Sequence, residues 1–304
     1  MNLLEKFEKG VNLHTYQRID SDYRVNIFLG YNEEGQMSMV ITENGREGVV
    51  KSSKIINVCL KKREDGKLAL SFDLQDIAYK SMFLIFCNDI IITCEKAGVD
   101  MAISRALSRW KYWKEMFGKR KANILDKIEI KGLIGELLEM RDHLMKKWDE
   151  TSVIQSWMGP LLGHKDFEIE NTWYEVKSVN ENAIQVTISS LEQLESDIDG
   201  HLVIVRLEDT SSVSEQSINL NQVVVSVVEQ IRDLENMEIF YMKLEKVGYV
   251  CDVEYDNYNF MYKGTQRYYV GEKFPRLRRS EVNPSIGNVK YTIMLDGITE
   301  FREG

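Results

Sequence analysis

Polar and apolar residues alternate along 163–180, GHKDFEIENTWYEVKSVN, on both sides of a short polar turn at Asn171-Thr172. Such alternation marks half-buried strands, and a tight polar turn between two such runs marks a hairpin. Pairing Glu170 with Trp173 sets Ile169 opposite Tyr174, Phe167 opposite Val176 and Asp166 opposite Lys177. Phe167, Ile169, Tyr174 and Val176 then share one face, which can be buried. Asp166, Glu168, Glu175 and Lys177 share the other. A slip of one residue would break both faces, so the pattern specifies the sidedness of the hairpin.

The preceding chain has two textures. Residues 1–72 carry short strand-like runs (23–30, 35–42, 46–52, 55–62 and 67–72) separated by Asn, Glu and Gly turns such as YNEEG and REDG. They predict a small antiparallel sheet or barrel-like module. From 73 to 96 the residues are apolar all round, which fits a buried helix or a helix running into a strand. The chain therefore divides into a β-rich module over 1–96 and a second domain over 97–304. In 98–118, Ala102, Leu107, Trp110, Trp113 and Met116 fall on or near one stripe of an amphipathic helix, and Gly118 supplies a C-cap. The tryptophans read as packing between the two modules. The basic connector Lys119, Arg120 and Lys121 reads as a solvated helix end or as a phosphate contact.

A second helix is predicted over 124–147. Leu133, Leu137, Met140 and Leu144 form its packing stripe, with Gly132, Glu136, Glu139 and His143 on the neighbouring stripe. Interior glycines cost about 1 kcal/mol each relative to alanine, so Gly132 and Gly135 imply close packing, with the hairpin as the natural partner. After the hairpin, 183–190 reads as a third strand, 190–198 as a Ser-capped helix and 201–209 as a continuous apolar strand buried on both faces. Helical patterns follow over 219–237 and in EIFYMKLEKVGYV, then strands in YNFMYKGTQRYYVGEKF and NVKYTIML. The order predicts an α/β (α+β) fold with a mixed sheet flanked by helices.

Composition narrows the setting. With 304 residues, 43% of them hydrophobic, only three prolines and no repeat, the chain can bury one large or two ordinary cores. No run of about 18 apolar residues predicts a membrane span, and MNLLEKFEKG lacks the apolar core of a signal peptide. Four scattered cysteines (Cys59, Cys87, Cys94 and Cys251) without a CxxC pair read as free thiols in a reducing cytoplasm. A net charge of −9 argues against a generally basic nucleic-acid coat, though not against a locally basic cleft.

The candidate chemistry lies in the hairpin and its neighbours. Asp166 and Glu175 offer hard oxygen ligands to Mg²⁺ or Mn²⁺, with a backbone carbonyl near Val176 as a further ligand. Glu136 joins them as a ligand or outer partner if its helix packs on the hairpin; otherwise it is an exposed glutamate. The competing reading of the hairpin is a surface salt bridge between Lys177 and Asp166. His164 and Glu168 read as local loop and surface residues, and the isolated His14 as a solvated or capping one. The segment KFPRLRRSEVNPSIGNVKY carries Lys273, Arg276, Arg278 and Arg279 beside Tyr268, Tyr269 and Phe274. It is either a DNA-backbone contact or a solvated loop.

A helix bearing Glu136, a strand opening at Asp166, Glu175-Val-Lys177 on the next strand, then a third strand and a helix resemble the PD-(D/E)XK nuclease superfamily. GLIGEL, W-x-GP…HKDFEI, YEVKS, SSLEQLE and the late FPRL…Y-x-I-x-L resemble, more narrowly, the bacterial PD-(D/E)XK motif proteins of restriction and phage-defence gene clusters. Lys165 stands where the name has proline. The resemblance implies a restriction-endonuclease-like fold and Mg²⁺- or Mn²⁺-dependent cleavage of DNA. Asp166, Glu175 and Glu136 would hold the metal, Lys177 would orient or deprotonate water, and Gln193 would lie near the site. It also implies partner proteins from the defence cluster. Double-strand cleavage by a single-site fold would imply a homodimer. The alternatives are a nuclease fold kept as a DNA-binding or scaffolding subunit and a metal-dependent enzyme acting on RNA.

Overall fold

The computed structural model describes residues 3–9, 15–20, 23–45, 48–95, 101–118, 124–161, 163–212, 214, 216–250 and 252–303. His14, Lys119, Arg120, Lys121 and Cys251 lie outside the described residues. The chain forms two compact units: Met1–Asn123 with Val228–Met237 and Cys251–Val253, and Ile124–Val227 with Glu238–Val250 and Glu254–Gly304.

The first unit begins with α1 (Leu3–Lys9) and β1 (Tyr16–Arg18), neither of which the pattern predicts. β2 (Asn26–Tyr31), β3 (Met37–Glu43), β4 (Ile56–Lys62) and β5 (Leu68–Leu74) follow. They form an antiparallel sheet in the order β1-β2-β3-β5-β4. The run expected over 46–52 forms no strand in its described part, and Val49 there is almost fully exposed. The apolar stretch after β5 is the helix α2 (Lys80–Glu95), and α3 (Ala102–Gly118) packs beside it. Phe72 on β5 meets Phe86 of α2 at 5.0 Å and Trp110 of α3 at 5.9 Å, and Phe86 meets Trp113 at 5.7 Å. The tryptophans thus complete the core of the first unit, and the division falls after α3 rather than at 96/97. The helical stretch Ile77–Glu95 is long and apolar enough to cross a membrane, yet Met82–Cys94 are buried in this core, as in the central helix of a globular unit. Cys87 and Cys94 are buried free thiols whose pKa burial raises, for Cys94 to about 12.

The second unit opens with α4 (Lys127–Glu139), started by a capping box between Asp126 and Glu129. It continues through a π turn at Met140–Leu144 into α5 (Met145–Lys147), and α6 (Glu150–Ser156) follows. The strands are β6 (Phe167–Ile169), β7 (Thr172–Val179), β8 (Gln185–Ile188), β9 (Gly200–Thr210) and β10 (Ser217–Ile218). Then come α7 (Leu220–Val228), α8 (Leu234–Val247), β11 (Asn259–Val270) and β12 (Tyr291–Met294). The main sheet runs β10-β11-β9-β7-β6, with β7 and β9 parallel and the other pairs antiparallel. This is the mixed α/β architecture that the order of elements predicts.

Three local expectations change. The hairpin turns at Glu170-Asn171, one residue early, because Glu170 takes a φ of 51°, the left-handed conformation that tight hairpin turns use at their first central residue. Phe167 therefore pairs with Tyr174, and Glu168 with Trp173. Cross-strand partners shift by two, so sidedness survives, but Asp166 no longer stands opposite Lys177. Both faces of β7 are covered, with Trp173 and Glu175 as buried as Tyr174 and Val176. The third strand, β8, leaves the main sheet to pair with β12, and the helix expected over 190–198 is a single 3-10 turn at Leu191–Gln193. Its carbonyls are taken from outside: Lys165 Nζ donates to Glu192 O and Glu195 O, and Arg276 Nη1 to Leu194 O.

α4 lies directly on β7. Leu133, Leu137, Met140 and Leu144 are all buried. At Gly135 an added Cβ would overlap Ser178 Oγ and stand 3.5 Å from Ser178 Cβ and Val176 Cγ1, whereas at Gly132 nothing lies within 4 Å. Gly135→Ala should therefore cost 1–3 kcal/mol, the usual range for overpacking. Gly132→Ala should gain up to about 1 kcal/mol from helix propensity. Ser178→Ala removes the overlapping atom, so adding it to Gly135→Ala should recover most of the loss. Urea unfolding of wild type, the three single variants and the double variant measures this, and additive losses for the double variant would contradict the geometry.

Candidate active site

Four side chains meet where α4, the loop after α6 and the hairpin converge. Asp166, immediately before β6, turns Oδ2 onto the backbone N–H of Val176 at 2.7 Å, and its own carbonyl accepts from Met158 and Gly159 N–H. This sews the 157–163 loop to the hairpin. Glu175, almost wholly buried, accepts from Lys177 Nζ at 2.7 Å. Glu136 follows Gly135, and its Oε2 accepts from the indole N–H of Trp157 at 2.7 Å. A Cβ on Gly159 would lie 3.0 Å from Glu136 Oε2 and 3.3 Å from Asp166 Oδ1. Both carboxyls thus face the space that the missing side chain leaves.

The electrostatics are those of crowded carboxyls removed from water. Burial raises the pKa of Glu136 well above the ordinary range, and neighbouring Asp166 and Glu175 raise it further. Burial raises Asp166 despite the opposing pull of Lys177. Glu175 is pushed up to about 8, by burial first and by Asp166 next. Such a group of oxygen donors with excess negative charge suits a hard divalent cation such as Mg²⁺ or Mn²⁺. As the side chains stand, no three Asp, Glu, His or Cys among the described residues are close enough together to hold one. Glu175 is turned to Lys177, which leaves Glu136 and Asp166 as the pair beside Gly159. The salt-bridge reading of the hairpin finds its ion pair at Glu175–Lys177, buried rather than on the surface.

The other residues singled out from sequence fall elsewhere. His164 and Glu168 are exposed. Gln193 Oε1 accepts from Ser189 N–H. Arg276 reaches Leu194 O, and Arg279 Nη2 donates to Ile286 O, so both guanidinium groups hold loop carbonyls. Lys273 is exposed, and Arg278 Nη2 makes one long bond to Glu272 O at 3.4 Å. Sequence reasoning assigned nothing to Trp157, Gly159 or Lys243. The first two lie in the W-x-GP segment, but nothing local shows which carboxyl they face. Lys243 could have been noticed as a lysine on the apolar side of α8, between Phe240 and Leu244.

The carboxyl group sets a pH signature. Burial raises the pKa of Glu175 to about 8 in the folded chain, against an ordinary glutamate value of 4.5, so the fold favours its protonated form although Lys177 pulls the other way. Across that window the native state binds more protons than the unfolded one, so stability falls as pH rises. Asp166 and Glu136 act in the same direction. The three carboxyls should therefore lower the melting temperature of metal-free protein from pH 5 to pH 8, most clearly above about pH 6.5, below which the lowered pKa values of His143 and His201 act in the opposite sense. Glu175→Gln should flatten that slope, and thermal melts in EDTA measure it. A slope equally steep in the variant would contradict the burial argument.

Comparison with known proteins returns a single family. No curated protein and no solved structure matches the chain. The family model described as "Putative PD-(D/E)XK family member (DUF4420)" matches residues 4–296. With Asp166, Glu175 and Lys177 in the order of that motif and nearly the whole chain matched, the protein belongs to this PD-(D/E)XK family.

Proposed function

We propose that the chain is a Mg²⁺- or Mn²⁺-dependent endonuclease that hydrolyses phosphodiester bonds in DNA, within a bacterial restriction or phage-defence system. Family membership points to a nuclease-type hydrolase. The observation that carries the reading is the convergence of Glu136 and Asp166 beside Gly159, next to the buried Glu175–Lys177 pair. A bound divalent cation would neutralise charge on the phosphate and lower the pKa of its water.

The chain's own groups divide the remaining work. Asp166 and Glu136 would hold the cation, and Glu175, now turned to Lys177, would be the third carboxyl available to it. Lys177 orients the attacking water and donates to the developing oxyanion. Asp166 is kept in place by the Val176 N–H, which would hold its carboxyl ready for a cation. Lys273 and Arg278 make phosphate contacts, while Arg276 and Arg279 keep their loop in shape. The protein acts in the cytoplasm with partners from its gene cluster, and as a homodimer where both strands are cut.

Plasmid DNA incubated with Mg²⁺ or Mn²⁺ tests the assignment, with matched RNA as the comparison. Lys177→Ala should lower cleavage at least about 100-fold, within the range for losing an acid–base group, and Asp166→Ala, which removes a metal-holding carboxyl, should also lower it at least about 100-fold. Cleavage unchanged in both would place the chemistry elsewhere. No cleavage together with no calorimetric Mn²⁺ binding would favour a scaffolding subunit, and preferential cutting of RNA would replace the substrate. A filter-binding titration against salt examines the basic loop. Removing Lys273 and Arg278 together should flatten the log–log slope by about 2, at close to one unit per phosphate contact. An unchanged slope would move the phosphate contacts off this loop.

A further inference from the structure

Two glutamates three residues apart on α4 are treated differently by the fold. Glu139 is neutralised by a bidentate pair with Arg267 of β11, at 2.8 and 2.5 Å. Glu136 has no such cation; among the described residues its hydrogen-bond donor is the Trp157 indole N–H. Trp157 is fully buried, with its ring 5.7 Å from that of Phe240 and its backbone bridged to Phe167. Its carbonyl is held as well. Lys243, also buried, donates through Nζ to Trp157 O at 2.6 Å, Ile154 O at 2.8 Å and Gln155 O at 2.9 Å. All three ammonium protons thus go to the carbonyls that end α6, and no carboxylate is near enough to pair with Lys243 among the described residues.

These contacts form a chain from α8 through the end of α6 to the carboxyl of Glu136. Accepting the metal site proposed above, on which this step rests, we infer that Trp157 is a positioning residue: its N–H holds the Glu136 carboxylate in the orientation that meets Asp166 beside Gly159, and Lys243 holds Trp157. A single N–H suits the task because it orients an ionised carboxylate without cancelling its charge. An arginine, like the partner of Glu139, would compete with the cation. Lys243 acts at one remove, since its charge sits on the helix end where carbonyl dipoles are left over.

Calorimetric titration of MnCl₂ into the full chain tests the inference in four proteins: wild type, Trp157→Phe, Glu136→Gln and the double variant. Trp157→Phe should weaken Mn²⁺ binding 10–100-fold, the usual effect of removing a partner that orients a metal ligand. In the Glu136→Gln background the same change should alter affinity less than twofold, because the group it orients no longer carries the charge. Equal affinity in wild type and Trp157→Phe would overturn the inference while leaving the metal site standing. An equal loss in both backgrounds would show a merely structural role and overturn it too. A wild type that binds no Mn²⁺ would overturn the site and the inference together. If Trp157→Phe does not fold, benzothienylalanine at position 157, which keeps the ring volume and lacks the N–H, carries the same expectations.

Discussion

Where α4 crosses β7 there is room for a hydrogen at Gly135 and for nothing larger. That contact sets the height of the helix above the sheet, and Glu136, the next residue, reaches the hairpin carboxyls because of it. The approach has costs. A helix-interior glycine loses about 1 kcal/mol against alanine, and Ser178 Oγ is buried beneath it without a hydrogen-bond partner among the described residues, a further penalty of about 1–3 kcal/mol. Burial of Leu133, Leu137, Met140 and Leu144 on the same helix outweighs them, at about 1.5–3 kcal/mol for each side chain. The apolar stripe therefore fixes where the helix lies, and the glycine lets it lie close.

The second unit buries more charge than its core requires, and the way each charge is satisfied separates scaffold from chemistry. Glu139 has Arg267. Lys243 and Lys165 both hold main-chain carbonyls, with Lys165 also lying over the Trp173 ring at 4.4 Å. Burial lowers the pKa of each to about 8. Lys165 stands at the position that gives the motif its proline. It ties the start of the hairpin to the 191–195 turn, a fastening role that proline could not perform. In contrast, Glu136, Asp166 and Glu175 are three carboxyls drawing chiefly on Lys177, with Lys165 acting more weakly on Glu175, and burial raises the pKa of all three. A fold that neutralises its other buried charges and leaves this cluster in deficit stores electrostatic free energy that a divalent cation would release.

The sidedness of the hairpin was legible because the side-chain period of a strand is two: Phe167, Ile169, Tyr174 and Val176 must go together whichever residues form the turn. The helical stripe of α4, the buried character of α2 and the continuous apolar run of β9 were legible for similar reasons of period and length. Local pattern also marked Gly135 as a close contact, though it marked Gly132 equally and only one of the two touches anything. Asp166, Glu175 and Lys177 stood out because their spacing matches a motif whose chemistry needs those groups.

Tertiary structure decided the rest, because each remaining question turned on a partner distant in sequence. The backbone conformation of Glu170 set the hairpin register, and with it Glu175 rather than Asp166 as the partner of Lys177. Phe72 and Phe86 drew Trp110 and Trp113 into the first unit. β12, about a hundred residues on, took β8 out of the main sheet. The carbonyls of 192, 194 and 195 received Lys165 and Arg276, which ended a helix that propensity alone would have continued. Above all, Glu136 and Glu139 lie on one stripe of one helix, and nothing in their local pattern shows which of them the fold leaves without a cation. The family resemblance pointed to Glu136, and the fold supplied the physical difference by setting Arg267 against Glu139 and the Trp157 N–H against Glu136.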